Sequence, residues 1–251
     1  MKQMILSDIS QRLEGYEETI VFKLIDRAQY ASNEIIYERG RSGFKGAGNL
    51  SLLELRLQFQ EQMDTQFGKF CVPEERPFIK NASAPRRKAM VDDRGILIED
   101  CNVINLTEDI MRGYRAIVPL ICAAGDDGHY GSSVEHDVYA LQAISRRIHF
   151  GSLYAAEAKY TADTEAFSKL IAAKDREGLM KRLTRKNVED NIIKRVKEKT
   201  ESTQAMVNKE IRRVVKPEVV VQFYQECIIP LTKRGQVQYL LNRKEPQPHA
   251  L

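Results

Sequence analysis

Apolar residues recur every three or four positions over most of the chain, which is the period of an amphipathic helix. Ile5, Ile9, Leu13, Tyr16, Ile20 and Leu24 draw the first such stripe, interrupted only by Gly15, which costs a helix about 1 kcal/mol relative to alanine. Ser51 followed by Glu54 reads as a capping box and predicts a second helix with Leu52, Leu55, Phe59, Met63 and Phe67 on its buried face. A long helix is predicted from Val134 to Tyr160 through Val138, Leu141, Ile144 and Ile148, then shorter ones over 164–173, 176–183 and 187–200. The last helix begins at Pro217, a favourable first-turn residue, and runs past Tyr239. Pro230 lies inside it and predicts a kink, because it removes one backbone donor.

Between residues 71 and 106 the periodicity fades. Pro73, Pro77 and Pro85 and the basic run Arg86-Arg87-Lys88 fall there. Ile96-Leu97-Ile98 and Val103-Ile104 flank Glu99 to Asn102 and predict a small hairpin. Residues 125–133 carry three glycines and two aspartates and predict a loop. With no internal repeat, low-complexity tract or linker, the simplest account is one all-α, multi-helix bundle domain over 1–251.

Composition narrows the function classes. A net charge of +4 in 251 residues is too small to imply a polyanionic partner, and tryptophan is absent. Nucleic acid is therefore not expected as a partner, and with no apolar run approaching membrane-spanning length neither is a membrane, whereas a small anionic ligand suits the charge. Lys181, Arg182, Arg185, Lys186, Lys194, Arg195 and Lys197 form a basic run, but Glu189, Asp190 and Glu198 interrupt it, as on a solvated helix face. Cys71, Cys101, Cys122 and Cys227 are scattered without a C-x-x-C pair, so reduced thiols in a cytoplasmic protein are expected, not a disulfide framework or a metal site.

No nucleophile elbow, zinc motif or phosphate-cradling glycine loop is present, and neither cofactor nor metal is expected. Polar residues instead interrupt core-forming helices. Arg147 and Lys159 stand near the two ends of one helical stretch; Arg185 and Glu189 share a helix face, as do Thr232 and Gln236. Around them the chain becomes recognisable. The blocks Ser145-Arg-Arg-Ile-His-Phe-Gly151, Ala156-Glu-Ala-Lys159 and Ile228-Ile-Pro-Leu-Thr232 resemble the eukaryotic chorismate mutases of yeast and plants. So do Ile20-Val-Phe-Lys-Leu-Ile-Asp-Arg27 with Ala28-Gln-Tyr30, Lys174-Asp-Arg-Glu-Gly178 and Tyr239-Leu-Leu-Asn-Arg243. These blocks keep the family's order over nearly the whole chain and are weakest between residues 40 and 130.

The resemblance implies an all-helical homodimer that rearranges chorismate to prephenate in phenylalanine and tyrosine biosynthesis. One ether C–O bond breaks as one C–C bond forms. No proton moves and no covalent enzyme intermediate forms, so the protein must hold a compact conformer and place donors where the ether oxygen gains charge. By similarity, Arg147 binds a carboxylate with its planar fork, Lys159 donates to the ether oxygen, Glu189 accepts from the ring hydroxyl and Thr232 helps seat the other carboxylate. Gln236 stands opposite Lys159, where eukaryotic members usually carry glutamate. An amide donates at any pH, which predicts activity persisting through neutral pH. His149 lies in a matching block and is expected to be structural.

Three departures stand out. Ser10 occupies the position of a family arginine, and Arg12, two residues on, points about 200° away on a helix. Arg147 and Lys159 are twelve residues apart where the family has eleven, which predicts a one-residue π-bulge between Gly151 and Ala156. Arg185, one turn before Glu189, is a candidate replacement for the cation missing at Ser10. Aromatic amino acid control is a further expectation, with Gly131, Ser132 and Lys69 as candidate effector contacts, although Glu135 and Lys216 replace threonines important in yeast. Two rival readings follow: a catalytically impaired homologue kept as a binding or regulatory subunit, and a same-fold enzyme removing pyruvate from isochorismate.

Overall fold

A computed structural model describes residues 5–80, 96–207 and 212–243. Among them nine α-helices appear in the order α1 Leu6–Arg27, α2 Leu52–Gln66, α3 Thr107–Ile121, α4 Tyr130–Ala162, α5 Thr164–Ala172, α6 Arg176–Leu183, α7 Lys186–Met206, α8 Pro217–Phe223 and α9 Ile229–Leu241. No strand is present among the described residues; a single bridge joins Ala31 to Ala123.

The 33-residue α4 is the spine, about 50 Å long. Helices α1 and α9 lie along it, and α7 packs on α1 and α8. Its first half carries Val134, Val138, Leu141, Ile144 and Ile148 into a core shared with Ile20 and Leu24 of α1 and Tyr114 and Ile117 of α3. Its second half carries Phe150, Leu153 and Tyr160 into a separate core with Phe167 of α5, Leu179 of α6 and Leu240 of α9.

Two glycines set the approach of α9 to α4. A Cβ on Gly151 would stand 2.8 Å from Thr232 Cγ2, and one on Gly235 would stand 2.1 Å from Ser152 Oγ. Both are shorter than real contacts, so this close crossing requires the missing side chains.

The structure corrects several expectations. The capping box at Ser51 and Glu54 forms in full, but α2 buries Leu53, Leu55, Leu57 and Glu61. Phe59, Met63 and Phe67 are exposed at 57%, 49% and 70%. Glu61 turns inward because its carboxylate accepts from the amides of Phe78 and Ile79, at 2.8 and 2.9 Å. The expected hairpin is absent: Cys101–Val103 is a 3₁₀ turn, tied down by Arg76 donating to the carbonyls of Ile104 and Cys101. Helix α4 starts at Tyr130, inside the expected loop. The basic run at residues 86–88 lies outside the described residues.

The π-turn expected in α4 is not there; α4 is regular throughout. One occurs instead at Tyr224–Ile228, joining α8 to α9. Pro230 leaves the carbonyl four residues back, in this wider turn, without its helical donor.

Candidate active site

One cavity of about 320 Å³ opens where α1, α4, α7 and α9 meet. The regular α4 explains how Arg147 and Lys159 both reach it. Residues 147, 151, 155 and 159 form one i, i+4 row, which winds about 40° around the axis per step. Arg147, Ala155 and Lys159 line the cavity, and the Gly151 carbonyl between them accepts from Gln236, which lines it too. The cavity follows this inclined ridge, so no bulge is needed.

Arg147 is 2% exposed. Its Nη1 donates to Thr232 Oγ1 at 2.8 Å, while its Nε is buried without a partner. No carboxylate lies within ion-pairing distance of it among the described residues. Burial pushes its pKa below the usual arginine value, opposed by Tyr224 and Glu17. A buried, uncompensated cation is costly unless something supplies the counter-charge. Here the open side of that cation is the cavity.

Lys159 Nζ donates to Leu183 O at 3.1 Å and to Gln236 Oε1 at 3.2 Å. Its pKa is pushed down to about 8, first by burial and then by the Arg185 cation, with Glu189 opposing. Gln236 Nε2 donates to Gly151 O at 2.9 Å, and its second amide hydrogen can point into the cavity. Glu189 is held by Lys233 Nζ at 3.0 Å. Thr232 spends its hydroxyl hydrogen on Ile228 O at 2.7 Å and its lone pair on Arg147, so it orients the guanidinium.

All six residues singled out in the sequence (Arg147, Lys159, Arg185, Glu189, Thr232 and Gln236) thus line one cavity. Ser10 lines it too, whereas Arg12 does not and lies over the Phe150 ring at 5.8 Å. Arg185 precedes α7 and has no ion pair among the described residues. Five basic and two acidic side chains face the cavity, and the excess of positive charge suits a doubly charged anion.

Other placements are less concentrated. Lys69 pairs with Asp64 at 3.1 Å and bonds Gln142 in mid-α4. Gly131 and Ser132 lie in the first turn of α4, about 16 Å further along the helix. A single chain therefore does not gather the three candidate effector contacts. His149 is buried; its Nε2 accepts from Leu106 N at 3.0 Å and its Nδ1 bonds Ser145 O at 2.8 Å. Burial, helped by Arg76, holds its pKa down at about 3. It is a neutral bracket between two segments.

Sequence reasoning missed Glu17, Arg195, Lys233 and Tyr224. Glu17 is fully buried and gripped by Arg195 at 3.1 and 3.2 Å, and both line the cavity. A signal existed: Glu17 sits four residues after Leu13 and three before Ile20, on the apolar side of its helix. Arg195 carried none, since the basic run around it reads as solvated, and Lys194 and Lys197 do pair on the surface. Tyr224 packs its ring 5.8 Å from the Arg147 guanidinium.

No family model matches the chain. Individual relatives do. It is similar to the chorismate mutase of Saccharomyces cerevisiae, 35% identical over 249 residues covering 96% of this chain and 95% of that one. Among solved structures, Aro7p chorismate mutase from Candida albicans in complex with L-Trp superposes with a TM-score of 0.88 at 37% identity, covering 95% of this chain and 91% of that one. AtCM1 with tyrosine bound in its allosteric site gives 0.85 at 35% identity, covering 96% and 97%.

Proposed function

Since the chain belongs to the eukaryotic chorismate mutase family, whose members rearrange chorismate to prephenate, we propose that this cavity performs that rearrangement and assign its residues as follows. The observation that carries the assignment is Arg147, a buried cation that, among the described residues, has a neutral hydroxyl for its side-chain hydrogen bond and no carboxylate partner. Arg147 binds one substrate carboxylate, with Thr232 fixing its rotamer. Arg185 binds the second from the mouth of α7, taking over the charge that Ser10 does not supply. Lys159 and Gln236 donate to the ether oxygen as its bond to carbon lengthens, which is electrostatic catalysis by donors set in place beforehand. Glu189, held in place by Lys233 at 3.0 Å, accepts from the ring hydroxyl. The apolar walls Leu13, Val188 and Ile192 keep the compact conformer dry. No proton transfer is required, so no group has to act as general acid or base; Lys159 has only to stay protonated.

The enzyme acts as a homodimer in this reading. Phe59, Met63 and Phe67 form an exposed apolar row on α2, of a kind that marks an interface, and a second copy would cover it. Lys69, Gly131 and Ser132, which one chain does not bring together, are the candidate contacts for an aromatic amino acid bound between two copies. Four free thiols favour a reducing compartment such as the cytoplasm, although the Arabidopsis thaliana chorismate mutase 1 is named chloroplastic.

The test is incubation with chorismate, following its loss and the appearance of prephenate, with and without tyrosine and tryptophan. Prephenate formation supports the assignment. Intact chorismate would favour the regulatory-subunit reading, and pyruvate release from isochorismate the lyase reading.

A further inference from the structure

Beside the cavity lies a second, larger one of about 650 Å³, between the end of α4, α5 and α6. Lys159 and Arg185 line both. They form a shared wall, with Lys159 bonded across it to Leu183 O and Gln236. Lys181 and Arg182 line the second cavity only.

We propose that this second cavity is the approach channel for the doubly charged substrate and that Lys181 is its steering cation; the proposal rests on the function assigned above. The charges grade in the required order. Arg182 is spent: it pairs with Asp163 and lies over the Phe167 ring at 5.3 Å. Lys181 and Arg185 have no ion pair among the described residues. A dianion entering through the second cavity therefore meets Lys181 before the shared pair Arg185 and Lys159, and exchanges hydration for protein charge in stages.

The lip is built to hold its shape. Asp163 accepts from Ala166 N and caps α5, and Asp175 accepts from Gly178 N at 2.8 Å and caps α6. Gly178 lines the channel, and a Cβ on it would fall 2.2 Å from Asp175 Oδ2 and 2.7 Å from Leu170 Cδ2. The α5–α6 turn is thus packed to contact, which fixes where Lys181 stands. Phe167 and Leu170 give the channel an apolar wall, against which the field of the cations is poorly screened.

The experiment compares wild type, Lys181→Glu and Lys45→Glu in steady-state turnover of chorismate across ionic strength. Lys45→Glu makes the same change in net charge from the loop before α2, which lies toward the other end of α4. Lys181→Glu should lower kcat/KM about tenfold near ~10 mM ionic strength and less than about twofold near ~0.5 M, with kcat unchanged. Lys45→Glu should stay within about twofold of wild type throughout. Equal kcat/KM for Lys181→Glu and wild type at low salt would overturn the channel, as would an equal loss in Lys45→Glu. A matching fall in kcat would also overturn it, placing Lys181 in the chemical step. A wild type inert toward chorismate would remove the assigned function and the channel together; an active one insensitive at Lys181 removes the channel alone.

Discussion

Arg27 and Arg147 are both buried arginines on long helices, at 0% and 2% exposure, and they do opposite things. Arg27 is saturated. It donates to Asp137 at 2.6 Å, to the carbonyls of Ala31 and Ser32 and to Tyr37, while Tyr114 and Tyr37 complete the carboxylate's shell. Burial opposes its charge, but Asp137 overrides that and raises its pKa. Arg147 has one neutral partner and an orphaned Nε, and burial wins. Burial alone therefore does not separate a structural cation from a binding one. The partner's charge does.

The largest expected effect is on turnover. Arg147→Ala should lower kcat/KM about 10³-fold, the scale for removing an aimed donor in a water-excluded site, with a far smaller cost in stability than breaking a buried ion pair, because it strands no buried charge and gives up only a bond to the Thr232 hydroxyl and the Tyr224 ring contact. Activity within tenfold of wild type would break the contrast from the binding side. Next comes Asp137→Ala, which strands Arg27 and should cost about 3–5 kcal/mol in chemical denaturation. A cost under about 1 kcal/mol, the scale of a surface ion pair, would break it from the structural side.

Smaller effects sharpen the picture. Lys159 is charged below about pH 8 and neutral above, so kcat/KM should be flat through neutral pH and fall above about 8 as the cation is lost. Bound dianion favours the charged form, so the limb in kcat should lie at higher pH than the limb in kcat/KM. Gln236→Glu should add an acid dependence, with activity recovering as pH drops and the new carboxyl becomes a donor. A pH profile unchanged by that substitution would remove Gln236 from the ether oxygen. Arg185→Ala, at an exposed position, should cost about tenfold in kcat/KM with little change in kcat; no change would leave Ser10 uncompensated.

The parts of the fold carried by local pattern were legible in the sequence. The stripes at Ile20 and Leu24 and at Val138 to Ile148, the Ser51 cap and the first-turn Pro217 are local signals, and each marks a real element. What failed was long-range. Phe59, Met63 and Phe67 look like core because periodicity cannot tell a core face from a face left exposed on one chain. The hairpin failed because Arg76, twenty-five residues away from Cys101, holds that segment in a turn. The π-bulge failed because spacing was judged against a straight line down α4, whereas the cavity follows an inclined i, i+4 row. Site residues were legible where a polar side chain interrupts an apolar face, as at Arg147, and illegible where a charged one sits among other charges, as at Arg195 and Lys233.

The most direct measurement is thermal unfolding of wild type and Arg147→Ala, each with and without saturating prephenate. If Arg147 is the buried cation that a carboxylate neutralises, prephenate raises the wild-type midpoint by several degrees, roughly 3 kcal/mol at a hundredfold excess over Kd, and leaves Arg147→Ala almost unmoved. Equal shifts in both proteins would show that the dianion binds without Arg147 and would contradict the account at its centre.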